Sequence, residues 1–453
     1  MKNYLPLLIL LIIIGGCANY DNGELVGVQG RKSYVEPVPF GMVFIPAGSF
    51  LMGQNDQDLA FAQNSMSKTT TVDAFWMDET EITNNEYRQF VNWVRDSIVL
   101  QALVDDQVDD YILKDGEGNP ITAVKNGQES SVIDWAVEID WKDKDGVLKE
   151  SIDRIGLYYT GDEQFYGRRQ INVEKLIYNY TWIDYEQAAK KDNRYDYKTK
   201  EYTGNIINLD GSISPIEGRK SFIFADEVPV YPDTLCWITD FTYSFNEPYT
   251  NMYFWHASYD NYPVIGVTWK QATAFCIWRT NLLNTALTQE GQFFVQNYRL
   301  PSESEWEYAA RGNLALSTYP WGGPYVRNQL GCFVANFKLL RGNYIDDGAT
   351  ITERVGAYAP NEYGLYDMAG NVAEWTSGAY DESSYAFSHN MNSDYKYNAK
   401  PDDPPVMKRK VIRGGSWKDV AYFLQNSVRS YEYQDTAKSY IGFRCVRSYL
   451  GSN

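Results

Sequence analysis

The sequence predicts an α+β domain: a mixed, irregular fold rich in glycine and tryptophan, with a large insertion. Alternating apolar and polar residues mark short strands near the N-terminus, as in 41–53. Capping boxes, in which a Ser or Thr precedes a Glu or Gln by three residues, mark helix starts at Thr83, Thr268 and Ser302. Beyond Gly312 the chain has few helical periods and many glycine, proline, asparagine and aromatic residues, which indicates an irregular second half.

The first sixteen residues have the features of a secretory signal. Lys2 precedes an almost wholly apolar run over 5–14, which is too short for a membrane span, and two glycines then lead to Cys17. A cysteine directly after small residues resembles a bacterial lipobox. We therefore expect 1–16 to be removed and Cys17 to carry the lipid that anchors the protein. The alternative is an ordinary signal followed by a buried or disulfide-bonded cysteine.

Residues 17–39 predict a flexible tether, because they combine glycine, asparagine and charge with little apolar periodicity. About twenty extended residues can reach ~60–70 Å, far enough to hold a domain away from a membrane surface. Ala18 occupies the position where an aspartate favours retention in the inner membrane of well-studied bacteria. We therefore expect the outer membrane.

Composition excludes several functions. The net charge of −18 repels phosphate backbones, so the chain is not expected to bind nucleic acid. It has only two histidines, His256 and His389, too few for a histidine-based zinc or two-histidine iron site and poor material for a catalytic triad. Four cysteines follow Cys17 at wide spacings that are unlike a metal motif.

The first elements of the predicted domain are a strand, a turn and a second strand over 41–53, followed by an alternating strand over 72–77. Thr83 and Glu86 then begin a helix, and its core face is predicted to comprise Tyr87, Phe90, Val91 and Val94. The acidic turn at 78–81 is expected to complement the dipole of that helix.

The insertion is predicted at 98–251. It is rich in Tyr, Asp, Lys and Asn, with candidate strands at 175–182 and 221–225. Tyrosine and tryptophan in an otherwise polar segment are the side chains that anchor protein interfaces, so we interpret the insertion as partner-binding. The alternative is a loose surface insertion without a partner.

The core is predicted to resume near Tyr262. Thr268 and Gln271 cap a helix with Ala272, Phe275, Cys276 and Arg279 on one face. Ser302 and Glu305 cap the next helix, which runs through Trp306 and Ala310.

Four motifs in the second half identify a family. They are Arg299-Leu-Pro-Ser-Glu-Ser-Glu-Trp-Glu-Tyr-Ala-Ala-Arg-Gly312, Tyr363-Gly-Leu-Tyr-Asp-Met-Ala-Gly-Asn-Val-Ala-Glu-Trp375, Val411-Ile-Arg-Gly-Gly-Ser-Trp417 and Gly442-Phe-Arg-Cys-Val446. Together with the strands of 41–53 they resemble the sulfatase-modifying factor, or formylglycine-generating enzyme, family. The resemblance implies a mixed fold related to the C-type lectin fold, here over 40–449 and interrupted by the insertion.

The resemblance implies a lost active site. The family oxidises a substrate cysteine with two of its own cysteines, and these align with Ala421 and Asn426, in a stretch from Trp417 to Ile441 that has no cysteine. Alanine cannot bind a metal and asparagine is a poor ligand for copper(I). We therefore expect no catalysis and no required cofactor. The loop after Trp417 is expected to fill the old cleft with Tyr422, Phe423 and Leu424, or to leave a groove for a peptide.

The resemblance also implies structural features of the core. The cysteines of the Thr268 helix and of the final motif pair in the family, so Cys276 and Cys445 are the disulfide candidate, with free buried thiols as the alternative. Arg413, Arg429 and Arg444 are expected to pair with acids of the Trp306 helix and of the 371–375 loop.

Structural calcium is a further implication of the family. The predicted ligands of two sites are Asn371, Val372 and Glu374 for one and Asn336, Phe337 and Tyr358 for the other. The second site is weakened because Gly356 stands where some members carry an acid. The alternative is that Asn371 and Glu374 satisfy loop backbone and pair with Arg413.

A narrower resemblance covers nearly the whole mature chain, including the insertion. It rests on segments such as 75–83, 91–97, 230–234, 253–256 and 413–425. These resemble periplasm-facing outer-membrane lipoproteins of the type IX secretion and gliding-motility machinery of the Bacteroidota. That group implies self-assembly into a ring with a partner of the GldN (PorN) type. A cysteine-oxidising enzyme and a lectin-like surface receptor are the alternatives.

Overall fold

The computed structural model describes residues 34–54, 66–125, 128–142, 146–164, 167–241, 247–339 and 343–451. The predicted signal, Cys17 and most of the predicted tether lie outside these ranges. Residues 38–450 form one unit by their internal packing. Within the described ranges, none of the helices combines the length and the apolar character that crossing a membrane requires.

The helices are short apart from two. Their bounds are α1 Asn84–Asp105, α2 Val147–Ile155, α3 Tyr185–Ala189, α4 Cys236–Asp240, α5 Pro248–Met252, α6 Trp269–Gln289, α7 Glu303–Arg311 and α8 Ser384–Phe387. The strands of the first half are β1 Met42–Ile45, β2 Gly48–Met52, β3 Lys68–Val72, β4 Phe75–Asp78, β5 Thr122–Lys125, β6 Gln128–Ser131, β7 Ile177–Ile183, β8 Tyr195–Asp196, β9 Glu201–Tyr202, β10 Asn205–Ile207, β11 Ile213–Pro215 and β12 Ile223–Pro229. Those of the second half are β13 Tyr298–Arg299, β14 Ala373–Ala379, β15 Arg409–Arg413, β16 Ser430–Tyr433, β17 Ile441–Gly442 and β18 Val446–Ser448. This mixture of helices and strands confirms the predicted α+β fold.

One four-stranded antiparallel sheet joins the two ends of the domain in the order β1-β4-β18-β13. Met77 of β4 lies between Val43 of β1 and Val446 of β18. Because β4 is an inner strand covered on both faces, all four of its residues are buried. The alternation predicted over 72–77 is therefore wrong for this strand, which has the burial typical of a central strand.

The second four-stranded sheet has the order β16-β15-β14-β17. β14 pairs antiparallel with β15 and parallel with β17, so the sheet is mixed. A register shift between Trp375 and Ala379 interrupts the β14–β15 ladder. The sheet places Glu374 and Arg413 directly opposite each other on adjacent strands.

Helices α1 and α6 carry the main apolar core. Both begin at the predicted capping boxes, where Thr83 and Thr268 accept from the backbone of the third helical residue, whose side chain accepts in return. Tyr87 of α1 is fully buried and stacks on Phe275 of α6, with ring centroids 5.6 Å apart. Aromatic pairs of this kind add about 0.5–1.5 kcal/mol to the free energy of burying their area.

Within the predicted insertion, β7 and β12 form a seven-pair antiparallel ribbon, although residues 184–222 lie between them in the chain. We call this two-stranded ribbon the β7–β12 hairpin. Its inner residues Tyr178 and Tyr180 belong to the same core as α1 and α6, and the rings of Phe90 and Tyr178 meet edge to face with centroids 5.2 Å apart. The two strands begin two residues beyond the predicted starts, at Ile177 and Ile223. This part of the insertion is therefore built onto the domain.

Helix α7 is buried along its whole length, including its three glutamates. Glu307 accepts from Arg311 at 2.6 Å and from the Gly53 amide at 2.9 Å, and it also pairs with Arg413. Arg429 Nε donates to Glu303 at 2.6 Å. Because a buried charge is costly without a partner, these ion pairs determine where α7 can lie.

We expect Glu307→Gln to lower the free energy of unfolding by about 3–5 kcal/mol, since buried Arg311 loses its carboxylate partner and buried Arg413 keeps only Glu303, at 3.5 Å. The matched control is Asp346→Asn, which makes the same isosteric change in an ion pair with Arg327 whose two side chains are each 47% exposed. We expect that control to lose at most about 1 kcal/mol. Urea titration followed by tryptophan fluorescence measures both, and equal losses would contradict the role given to Glu307.

Candidate functional site

A cavity of about 200 Å³ lies beside the loop that follows Trp417, although neither Ala421 nor Asn426 lines it. It is smaller than the ~300–1,000 Å³ pockets that hold drug-sized ligands, so it has room for one or two side chains at most. Its wall combines ion pairs and aromatic rings. The lining residues are Ala373, Ile412, Arg413, Gly414, Gly415, Lys418, Asp419, Phe423, Val428, Ser430, Tyr431 and Tyr440.

The charged groups of the cavity wall already have partners. Lys418 Nζ donates to Asp419 at 3.1 Å and lies 3.8 Å from the centre of the Tyr440 ring. Ser416 donates to the other oxygen of Asp419 at 2.6 Å. The wall is thus held in place by its own contacts.

Ala421 and Asn426, the positions aligned with the family's cysteines, both contact the segment 317–319. The Ala421 carbonyl accepts from the Tyr319 hydroxyl at 3.1 Å, and the backbone N–H of Asn426 donates to the Thr318 carbonyl at 2.9 Å. The Asn426 side chain is fully buried and donates to Ser317, while its Oδ1 is buried without a hydrogen-bond partner. Both positions therefore pack against the same short segment, and their alignment with the family's cysteines stays a prediction.

The loop fills the cleft only in part. Leu424 is fully buried, whereas Tyr422 is half-buried and Phe423 is 37% exposed and lines the cavity. The expectation that all three side chains fill the cleft is wrong for Phe423. The loop is held by backbone contacts around a short 3₁₀ turn over 421–424.

Cys276 and Cys445 are brought together in the core. Their sulfur atoms lie 3.4 Å apart as free thiols, beyond the ~2.05 Å of a disulfide, and both side chains are buried. Burial, followed by the neighbouring Cys276 thiol, raises the pKa of Cys445 well above its usual value. Neither residue lines the cavity. The disulfide between them stays a prediction.

Glu374 pairs with Arg444, not with Arg413. Arg444 Nη2 donates to Glu374 at 2.6 Å, and the Trp306 indole donates to its other oxygen at 2.8 Å. Arg413 turns instead to the glutamates of α7. The pairing of Glu374 with Arg413 is therefore wrong, although the two residues face each other across the ladder.

Asn371 braces the loop that precedes β14. Its Oδ1 accepts from the Glu353 amide at 2.8 Å, and its Nδ2 donates to Glu81 at 2.6 Å. The Val372 amide donates to the same carboxylate at 3.1 Å. With Glu374 bound to Arg444 and Asn371 facing backbone donors, this set does not fit a calcium ion, because a cation would have to displace Arg444.

Of the other predicted calcium ligands, Phe337 and Tyr358 both contact Asp347, a residue that the sequence reasoning missed. The Phe337 amide donates to the Asp347 carboxylate at 3.0 Å, and the Tyr358 hydroxyl donates to the Asp347 carbonyl at 2.9 Å. The Asn336 side chain donates to Ile351 at 2.8 Å. Across the described ranges, no group of three or more His, Cys, Asp or Glu residues is arranged to hold a metal. Calcium at this second set stays a prediction.

A cluster of buried acids lies beside these loops and was also missed. Glu81 was expected to complement a helix dipole, yet it is fully buried. Burial, followed by the charges of Asp367 and Glu374, raises its pKa well above the usual value. Burial also raises the pKa of Asp367 to about 6, although the Gly356 amide donates to it at 2.6 Å. The sequence feature that could have indicated this buried cluster is the acidic turn at 78–81.

Fold and site define a member of a known class. The sulfatase-modifying factor enzyme 1-like domain matches residues 32–151 and 237–449 of this chain. The chain therefore belongs to that family. The unmatched stretch 152–236 lies within the predicted insertion and contains the β7–β12 hairpin.

Named relatives include inactive and active proteins. The chain is 33% identical over 191 residues to the inactive C-alpha-formylglycine-generating enzyme 2 of Bos taurus, covering 41% of this chain and 50% of that one. It is 32% identical over 196 residues to the formylglycine-generating enzyme of Mus musculus, covering 42% and 45%. It thus spans about half the length of these relatives. Among solved structures, PvdO from Pseudomonas aeruginosa is similar with a TM-score of 0.41 and 17% identity, over 90% of this chain and 94% of that one.

Asp367→Asn tests the buried acid cluster. In the unfolded chain the pKa of an aspartate is about 3.9, so the raised native value gives a contribution to stability that is present below about pH 4 and is lost as the pH rises to about 6. We expect Asp367→Asn to remove this fall in stability with rising pH, because asparagine does not ionise. Its free energy of unfolding should exceed that of the wild type by about 2–3 kcal/mol at pH 7 and should match it near pH 4.

Urea unfolding across pH 4 to 8 measures the difference. The control is Glu374→Gln, which should be destabilising at pH 7 because Arg444 loses its charged partner. A difference between Asp367→Asn and wild type that does not change with pH would contradict the assignment.

Proposed function

We propose that this chain is a non-catalytic outer-membrane lipoprotein similar to GldK (PorK). It would be a structural component of the periplasmic ring of the type IX secretion and gliding-motility machinery. In this proposal Cys17 carries the lipid, the domain faces the periplasm, and the chain assembles with further copies and with a partner similar to GldN (PorN).

The proposal that the chain is non-catalytic is supported by the positions of its thiols. The oxidase chemistry of the family needs two cysteines at a substrate cleft. Ala421 and Asn426 occupy the two positions that align with the family's cysteines. In the described structure neither of them lines the neighbouring cavity, and none of its twelve lining residues is a cysteine. Cys276 lies on α6 and Cys445 directly before β18, and both are buried in the core. That a relative is named an inactive C-alpha-formylglycine-generating enzyme 2 shows that the family includes inactive members.

The ring assignment is supported by the sequence segments that resemble GldK and by the insertion. These segments extend beyond the family motifs, and the stretch 152–236 lies outside the family match. The described part of the insertion adds exposed apolar side chains to the domain, among them Ile183, Tyr185 and Ile213. Such side chains suit contact with other proteins in an assembly.

Copurification tests the proposal. Membranes of the native host are extracted in mild detergent, and the tagged full-length chain is purified and examined by mass spectrometry and electron microscopy. We expect a large ring that contains a GldN-like partner, and no oxidation of a cysteine peptide with copper present, with a formylglycine-generating enzyme as the positive control. A single copy without partners would contradict the ring, and turnover of the peptide would instead support the oxidising enzyme.

Lipid anchoring has its own test. We expect Cys17→Ala to move the protein from the membrane fraction to the soluble fraction, because the acyl chains provide the anchoring free energy. The matched control is Cys332→Ala, which removes an exposed thiol from the domain and should leave the protein in the membrane. Fractionation with immunoblotting reads both, and a Cys17→Ala variant that stays in the outer membrane would refute lipid anchoring. Protease treatment of intact cells separates a periplasmic location from a surface receptor.

A further inference from the structure

The hairpin of β7 and β12 has two edges of very different character. Hydrogen bonds at both ends, from Asp184 to Phe222 and from Val230 to Leu176, set the register of the ladder. In an antiparallel pair, residues that bond across the ladder alternate with residues whose N–H and C=O face outward. The even-numbered residues of β7 therefore bond to β12, and its odd-numbered residues present their backbone groups to the outside.

The outward edge of β7 is open. The residues concerned are Ile177, Asn179, Thr181 and Ile183, and their side chains are all exposed. Their N–H and C=O groups have no hydrogen-bond partner among the described residues. The strand, Ile177-Tyr-Asn-Tyr-Thr-Trp-Ile183, contains no charge, no proline and no glycine.

The opposite edge, on β12, is guarded. Pro229 has no N–H, and its carbonyl accepts from Gln271 at 2.8 Å. The Glu227 N–H donates to the neighbouring Asp226 carboxylate at 2.9 Å. Proline and charge are the means by which proteins protect an exposed strand edge. Because only one edge of this hairpin is protected, the unprotected edge of β7 is suited to pairing with another strand.

We propose that β7 pairs with the β7 strand of a second copy of this chain, antiparallel and about a two-fold axis at Tyr180. In that register the outward-facing residues meet as hydrogen-bonded pairs, Ile177 opposite Ile183 and Asn179 opposite Thr181 of the other copy. Apolar side chains thus meet apolar side chains, and an amide meets a hydroxyl, which are favourable cross-strand pairs. The two hairpins become one four-stranded sheet.

Charge limits where a second copy can dock. The chain carries a net charge of −18, so two copies repel each other over most of their surface. The β7 edge has no charged side chain over 177–183, so the contact itself adds no pair of like charges. An isologous contact of this kind is the usual basis of a dimer. The contact lies outside the family-matched ranges and does not depend on the proposed ring.

A pair of double variants tests the register. Asn179→Glu with Thr181→Glu places carboxylates opposite each other across the axis, whereas Asn179→Lys with Thr181→Glu places opposite charges there. Light scattering of the detergent-solubilised full-length chain measures the mass of the assembly. We expect the first variant to have at most half the wild-type mass and the second to keep it. Equal masses for the two variants would overturn the register.

Thr181→Pro tests the strand edge without adding charge. It removes an N–H that β12 does not use, so the hairpin should survive while the contact between copies is lost and the mass falls at least twofold. The matched control is Ala225→Pro, which makes the same kind of change on the guarded edge and should leave the mass unchanged. Circular dichroism checks that both variants fold. The proposal would be overturned if the wild type is a single copy, or if the two proline variants change the mass equally. If Thr181→Pro instead releases a different bound protein, the occupant of the edge is a strand of that protein.

Discussion

The fold depends on matching the buried carboxylates of α7 with arginines from distant parts of the chain. All nine residues of this helix are buried, and three of them are glutamates. Arg299 forms a two-pronged pair with Glu305 at 2.6 Å, while Arg413 and Arg429 reach Glu307 and Glu303 from more than a hundred residues away. An unpaired buried carboxylate costs several kcal/mol, so α7 can be buried only when these strands and loops are in place. The pairs therefore specify one arrangement of the second half.

The same network fixes the cavity wall. Arg413 ends β15, and the chain must then pass close to α7 and to the loop that carries Ala421. A Cβ at Gly414 would lie 3.1 Å from the Trp306 ring, and one at Gly415 would lie 2.8 Å from the Phe423 carbonyl. Both glycines also have positive φ angles, 90° and 67°. The position of the loop is thus set by backbone approach and by ion pairs.

Local signals in the sequence predicted helices and strands well, and they failed where long-range pairing decides. The capping boxes at Thr83, Thr268 and Ser302 are confirmed because their hydrogen bonds lie within three residues. The partner of Glu374 could not be derived in this way. Its ladder neighbour is Arg413, yet Arg444 reaches it from the short segment between β17 and β18. Similarly, Glu81 looks like an ordinary acid before a helix, and only the folded loops bury it against Asn371.

The insertion shows how a new surface can be added without disturbing this network. The inner rings of the β7–β12 hairpin pack on α1, where Trp93 meets Tyr178 with centroids 6.0 Å apart, so apolar contacts hold much of that face. None of the α7 ion pairs involves a hairpin residue. The buried charges determine the family core, and the hairpin side chains that face outward are free of that constraint. Substitutions at the outward edge of β7 can therefore change which strand that edge pairs with, while costing the family core little stability.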